Sequence, residues 1–445
     1  MIRAFPLFLG AFLLSGAAAL AETYYVAPKG AVINGTPDGT ENLPFPSVTA
    51  AFASGVVTGG DVLLLKDGSY GSITIRANAA FDTPVTIMSQ NGKGAHFDTI
   101  DIRGDTRNLT LRNLSVWPTD PATDGKNYLV QAYGTTSNIV IDGFDVRSEE
   151  AAHDYMQWDE EHWKQRNFSG ILLHGPQGVV TNSQTTGVHH GIMVGHESKI
   201  TNSVVLGFNG DGMRAGSNSL IQHNNISDCV KIGGNHDDGI QALGASNLTI
   251  DSNVITEWSG AANHPLRCAL QGIGMFDGPY KDLTITDNIV SVTAIHGISV
   301  YGAEGATITG NTVVNSDGEV GKYPYIAVRL LKDGTPSTDV LVADNRAMSI
   351  QVSPSAKDGI QVNRNSVIRS PVLVLEELST SGAYQKVPGS IFDMPDEGAV
   401  IPPAVSPPVD VPPISPVPIP SAGLLLIGGL GGLVALGRRK SRERR

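Results

Sequence analysis

SGILLHGPQGVVTNSQTTGVHHGIMVGHESKITNSVVLGFNGDGMRA, residues 169–215, places a Gly followed by Ile or Met at Gly170, Gly191 and Gly212, each opening a short apolar run. The step continues as DGIQA at Gly239, QGIGM at Gly272, HGISV at Gly297 and DGIQV at Gly359, with YIAVRLL at Tyr325 lacking the Gly. Successive spacings are 21, 21, 27, 33, 25, 28 and 34 residues. One turn therefore takes about 21 residues, and the excess is loop. Between these steps lie paired alternating runs that bend at Asn: NLTLRNLSV from Asn108, NIVIDGFDV from Asn138, SKITNSVVL from Ser198, SLIQHNNIS from Ser219, NLTIDSNVI from Asn247, DLTITDNIV from Asp282 and ATITGNTVV from Ala306. No helical period of useful length interrupts the series, which excludes βαβ units, and short strands at a fixed repeat indicate a solenoid. With Ile and Val inward, this is an all-β, single-stranded parallel β-helix. Adjacent coils lie about 4.7–4.9 Å apart, so residues in one column of the repeat become neighbours.

The column before the Gly reads Ser169, His190, Asp211, Asp238, Gln271, His296 and Asp358. Two positions after the Gly, where alternation points side chains outward, it reads Leu172, Met193, Arg214, Gln241, Gly274, Ser299, Ala327 and Gln361. His189, His236, Asp237, His264, Arg267 and Tyr301 stand near its middle. Asp before Gly is also ordinary turn chemistry, so each Asp alone admits a structural reading. The joint occurrence of His190, Asp211, Arg214, His236, Asp237 and Asp238 on adjacent coils is what points to a site. In the insertion at 147–168, Tyr155, Trp158 and Trp163 are expected either to stack on sugar rings or to pack as a short helix across the barrel.

The two ends read differently. Residues 1–21 form a signal peptide, with Arg3, an apolar stretch and the small-residue close Ala19-Leu20-Ala21. The β-helix domain is expected over 22–390 and a spacer over 391–420, in which Pro395 to Pro420 contains ten prolines. Residues 421–445 comprise an uncharged stretch at the lower limit for crossing a bilayer, then RRKSRERR. The formal charge is -12, but without the final eight residues and Arg3 the chain carries 24 basic against 42 acidic side chains, a net of -18. Such a body excludes non-specific nucleic-acid binding, which needs a basic face. The two cysteines, Cys229 and Cys268, allow one bridge or two isolated thiols. Walker, GxSxG, HExxH and Cys-rich metal signatures do not occur.

The proline spacer, VPIPSAG, short Gly/Leu stretch and Arg cluster resemble the PEP-CTERM sorting tails, particularly the VPLPA variety, with Ser421 standing where that pattern has Ala. That resemblance implies transient anchoring by a transmembrane tail, removal by a membrane sorting protease, and a final place at the cell surface or outside it. The alternative is a plain single-span anchor. TYYVAPKG at Thr23, GTENLPFPSV at Gly39, a small helix at Ser47 to Ser54, GGDVLLLKDGSY at Gly59 and PVTIMSQNGKG at Pro84 resemble the capping segment of secreted right-handed β-helix proteins, the pectate-lyase-like superfamily. It implies a right-handed solenoid with an N-terminal capping helix, acting as a monomer on a polysaccharide.

Two chemistries fit these residues. NGDG, HDDG, HGISVYG and VRLLK occur in the order of polygalacturonase motifs, which implies roles for Asp211, Asp237, Asp238, His296, Arg329 and Lys332 in hydrolysis. The Gln271 coil intervenes, however, and places His296 about two coils, roughly 10 Å, from Asp238. The expected reaction is instead β-elimination on a uronate. Arg214, or Ca²⁺ held by Asp211, Asp237 and Asp238, neutralises the carboxylate, and His190 or His236 removes the proton. Catalysis is thus expected of His190, Asp211, Arg214, His236 and Asp238, and substrate binding of Gln241, Arg267, His296, Tyr301, Trp158 and Trp163. Epimerisation begins with the same abstraction, and a non-catalytic surface protein is the alternative from another class.

Overall fold

The computed structural model describes residues 21–76, 79–120, 128–234, 236–321, 323–353 and 359–381. The signal peptide up to residue 20, the spacer and the sorting tail lie outside the described residues. Among those described, no helix is long and apolar enough to cross a membrane.

Each coil contributes one strand to each of three parallel sheets, and the chain is a right-handed parallel β-helix. One coil shows the order: Lys199–Thr201 in sheet I, Val204–Phe208 in sheet II, Met213–Arg214 in sheet III. The sheets contain 14, 12 and 11 described strands respectively. Inside, Ile200, Ile221, Ile250, Ile285 and Ile308 stack from sheet I, Val205, Ile226, Ile255, Val290 and Val313 from sheet II, and Ile192, Met213, Ile240, Ile273, Ile298 and Ile326 from sheet III, all fully buried. Complete burial of such a side chain is worth roughly 1.5–3 kcal/mol, so repetition of one apolar triad per coil supplies the core.

The bend between sheets I and II has two parts. A residue with positive φ turns the chain: Asn182, Asn202, His223, Ser252, Asp287 and Asp344 lie at φ 50°, 50°, 56°, 55°, 54° and 57°. The next residue points inward and bonds the coil above. Asn224, Asn253, Asn288, Asn311 and Asn345 form a buried ladder, each backbone N–H donating to the Oδ1 of the next Asn at 3.0 Å, or 2.9 Å from Asn345 to Asn365. Every Nδ2 also donates to an Ile carbonyl one coil back. Left unmade, those buried groups would each cost about 1–3 kcal/mol, which explains why His223 and Ser252 tolerate the left-handed conformation.

The glycines that open sheet III answer a different demand, because none of the six has a positive φ. A Cβ on Gly239 would lie 2.7 Å from Ile255 Cγ2 and 2.8 Å from the Gly272 carbonyl oxygen. The column therefore lets sheet III close against sheet II. Gly191, Gly212, Gly239, Gly272 and Gly297 follow the register Ile192↔Met213, Met213↔Ile240, Ile240↔Ile273 and Ile273↔Ile298 on this one sheet.

One part of the repeat departs from expectation. DGIQV at Gly359 does not continue sheet III: Gln361 pairs with Leu341 in sheet I, Gly359 has φ 72°, and Asp358 lies outside the described residues. Ser349–Val352 takes the place beside Tyr325–Arg329, so the last Gly-Ile motif is a look-alike that serves the Asn-bend sheet. Among the described residues the last β-strand is Ser366–Val367, and helix Pro371–Thr380 follows it. It lays Val374 and Leu378 on Val314, Met348 and Ile368, and Glu377 receives two bonds from Arg346 at 3.0 and 2.9 Å. At the other end the helix Val48–Ala53, capped by Ser47 accepting the Ala50 N–H, buries Val48, Ala51 and Phe52 in the first coils.

Candidate active site

The outward face of sheet III, at its N-terminal edge, holds the polar column. Register extends it beyond the expected residues: Tyr128 pairs with Ser169, Asp238 with Gln271, and His296 with Tyr325 after a one-residue shift at Gly297. Tyr128 and Tyr325 are additions that the Gly-Ile motif could not reveal, since neither stands before a Gly.

The centre is built around Asp211. Its Oδ1 accepts the Asp238 N–H at 3.2 Å, and its Oδ2 forms an ion pair with Arg214, three residues on. The Asp211 N–H donates to His190 Nδ1 at 3.0 Å, which leaves the imidazole proton on Nε2. Burial, with His189 and Arg214 adding to it, pushes His190 down to about 3. His190 is thus disposed as a neutral donor, which leaves His236 as the other of the two expected bases. The neighbouring His189 is fixed by Asn209 at 2.5 Å.

Asp238 differs from every other carboxyl on this face. It is 1% exposed, and neither oxygen has a hydrogen-bond partner among the described residues. Gly274 of the next coil makes the space, because a Cβ there would strike Asp238 Oδ1. Burial foremost, then the charges of Asp211 and Asp277, push Asp238 up to about 9. An uncompensated buried charge is costly, so this carboxyl holds its proton. Gln241 bonds Asp277 at 3.0 Å, and the exposed Lys332 bonds the other Asp277 oxygen at 2.5 Å. His236 is exposed.

Two coils onward a second group gathers. Phe276, Tyr301 and Tyr325 surround His296, with ring centroids 5.7, 6.4 and 5.4 Å from it. His296 Nδ1 lies 2.9 Å from Ser299 Oγ and 3.1 Å from Tyr325 Oη. Arg329 stacks on Tyr325 and Tyr301 at 5.0 and 5.9 Å and donates to Gln351 at 2.5 Å.

Three expected binding residues stand elsewhere. Trp158 and Trp163, 7% and 1% exposed, pack with Tyr155, Trp258 and Val230 against Val204 and Leu206 on the outside of sheet II. There Tyr155 donates to buried Asp228 at 2.5 Å. The insertion is a cover for sheet II and offers no free ring. Arg267 bonds buried Glu257 at 2.8 Å and Asp317 at 2.8 Å, a fixed structural pair.

Asp237 also leaves its expected set. Cys229 and Cys268 form a disulfide, Cα to Cα 5.5 Å, and the Asp237 carboxylate sits beside it. Among the described residues, Cys229, Asp237 and Cys268 are the one trio with potential ligand atoms all within 4.8 Å of one another. Asp211, Asp237 and Asp238 do not converge in this way, and Arg214 already takes one Asp211 oxygen. The donors therefore do not fit the oxygen-rich cage that Ca²⁺ prefers.

Residues 169–325 match the family described as right handed beta helix region. No curated protein matches the chain. Among solved structures, the A-module of a mannuronan C-5 epimerase from Azotobacter vinelandii is 15% identical with a TM-score of 0.49, covering 77% of this chain and 93% of that one. A mannuronic acid specific polysaccharide family 6 lyase from human gut microbiota is 13% identical with a TM-score of 0.46, covering 82% and 96%. A pectate lyase is 14% identical with a TM-score of 0.37, covering 79% of each. At these identities the likeness is one of fold alone.

Proposed function

We propose that the protein is an exported polysaccharide-active enzyme that cleaves a uronate-containing polymer by β-elimination. Export rests on the sequence of the two ends. The observation that carries the reaction is the pairing, on one face, of a buried protonated carboxyl, Asp238, with a cation, Arg214, that Asp211 holds in place. Arg214 offers its remaining N–H groups to the uronate carboxylate, which makes the C5 proton acidic enough to remove. His236, exposed two residues before Asp238, takes that proton. The C5–H electrons form the C4=C5 double bond, the C4–O4 bond breaks, and O4 takes the proton of Asp238. His190 Nε2–H is a donor available to the same substrate carboxylate.

Hydrolysis by a carboxylate pair is favoured less. It needs a second carboxylate free to attack or to activate water, and both Asp211 oxygens are engaged. His296 stands two coils from Asp238, so the polygalacturonase-like set does not converge. The test is incubation of the purified protein with a panel of uronate-containing glycans, followed by ultraviolet absorbance of the unsaturated product and by reducing ends. Both signals are expected to rise together. Reducing ends alone would establish hydrolysis, and neither signal on any polymer would remove the lyase reading.

A further inference from the structure

We propose that Cys229, Cys268 and Asp237 form a second, metal-binding site, open to Zn²⁺ or Co²⁺ when the disulfide is reduced. The inference is independent of the reaction proposed for Asp238 and Arg214.

The three side chains are buried together, with Asp237 3% exposed. Backbone bonds hold their carriers: the Cys268 N–H donates to the Cys229 carbonyl at 3.1 Å, and the Gln271 N–H to the Asp237 carbonyl at 3.0 Å. Val230 and Arg267 form an antiparallel bridge beside them. Two sulfurs and a carboxylate thus sit on segments tied by bonds other than the disulfide, so the grouping persists when it opens. Asp237 Oδ1 is buried with no hydrogen-bond partner among the described residues, and so is open to accept a ligand bond. Buried polar atoms are normally paired.

The donor set selects the ion. Thiolates favour soft or borderline metals, and tetrahedral zinc has Zn–S near about 2.3 Å and Zn–O near about 2.0–2.2 Å. Ligand atoms around such an ion lie roughly 3.3–3.8 Å apart by that geometry, inside the 4.8 Å that encloses this trio. The required motion is a separation of the two sulfurs by side-chain rotation. Three protein ligands leave a fourth position for water.

The chemistry balances with a phosphine reductant. The S–S bond breaks, each sulfur takes a proton, and the phosphine becomes its oxide with oxygen from water. Metal binding then releases the two thiol protons and any proton on Asp237 while two S–metal bonds and one O–metal bond form.

The experiment uses the full chain, reduced anaerobically, freed of phosphine and titrated with Co²⁺. A thiolate-to-cobalt charge-transfer band should grow to one ion per chain, with the visible bands of a tetrahedral ion, and Zn²⁺ should displace it. The oxidised chain should give no band, and Cys229→Ser should abolish it. Asp237→Asn should weaken binding by at least the roughly 10–100-fold that loss of even an outer-sphere partner costs. Absence of the band in reduced wild type overturns the proposal. So does equal binding by Asp237→Asn, the result expected if reduction merely unfolds the chain and frees two thiols.

Discussion

Asp238 occupies a place where a carboxyl is expensive, buried with neither oxygen partnered among the described residues, and the cleared space over Gly274 shows that the fold makes room for it. Replacement by Asn keeps the volume and removes the transferable proton. Asp238→Asn should therefore leave thermal melting intact and lower turnover about 10²–10⁴-fold, the contribution of a general acid. The control is Asp287→Asn, at φ 54° in the sheet I bend, where Asn suits the same conformation and both activity and melting should be unchanged. Equal activity of the two variants would return Asp238 to a structural role. His190 carries a separate, pH-linked prediction. Its folded pKa is depressed to about 3, so the stability it contributes is complete above the ordinary value of about 6.5. That contribution is lost as pH falls toward 3, because the unfolded chain takes up the proton first. His190→Asn, able to accept the Asp211 N–H, should flatten the decline of unfolding free energy across this window. A decline as steep as that of wild type would exclude His190 as its source.

Elements divide here into those that build the solenoid and those that dress it. Sheet III depends on its glycines for closure against sheet II, so Gly239→Ala forces a Cβ onto Ile255 and the Gly272 carbonyl and should cost about 1–3 kcal/mol in denaturant unfolding. The insertion at 147–168 depends on Trp163, 1% exposed. Trp163→Ala should destabilise by about 3–5 kcal/mol and leave KM for any glycan unchanged at temperatures where the chain is folded; a selective rise in KM would restore the sugar-stacking role. The Asn bends and Gly-Ile steps were legible in the sequence because each repeats a local steric demand: a left-handed residue, an inward amide, a missing Cβ. Trp158, Trp163 and Arg267 were misread because an aromatic or charged loop residue has the same sequence signature whether it faces solvent or covers a sheet. Only the path of the loop distinguishes them. Gly359 misled for the converse reason, since DGIQ satisfies a turn in sheet I as well as a strand in sheet III.

Across the whole molecule, the repeat converts distance along the chain into a spacing of about 4.7–4.9 Å per coil. Tyr128, His190, Asp211 and Asp238 meet through that spacing and through no local motif. The column was readable from periodicity as far as the Gly-Ile step persisted. Its ends at Tyr128 and Tyr325, and the commitment of Asp211 to Arg214, required the register and the side-chain positions. If the proposed reaction holds, the polymer lies along the outward face of sheet III, across Arg214 and Asp238 and toward His296 and Tyr325. The most direct measurement is a crystal structure of the Asp238→Asn chain with a uronate oligosaccharide taken from whichever polymer the wild type cleaves. Sugar density is expected on sheet III, with a carboxylate against Arg214 and the scissile oxygen at residue 238. Sugar bound on the outer face of sheet I or sheet II, with Arg214 and residue 238 uncontacted, would contradict it.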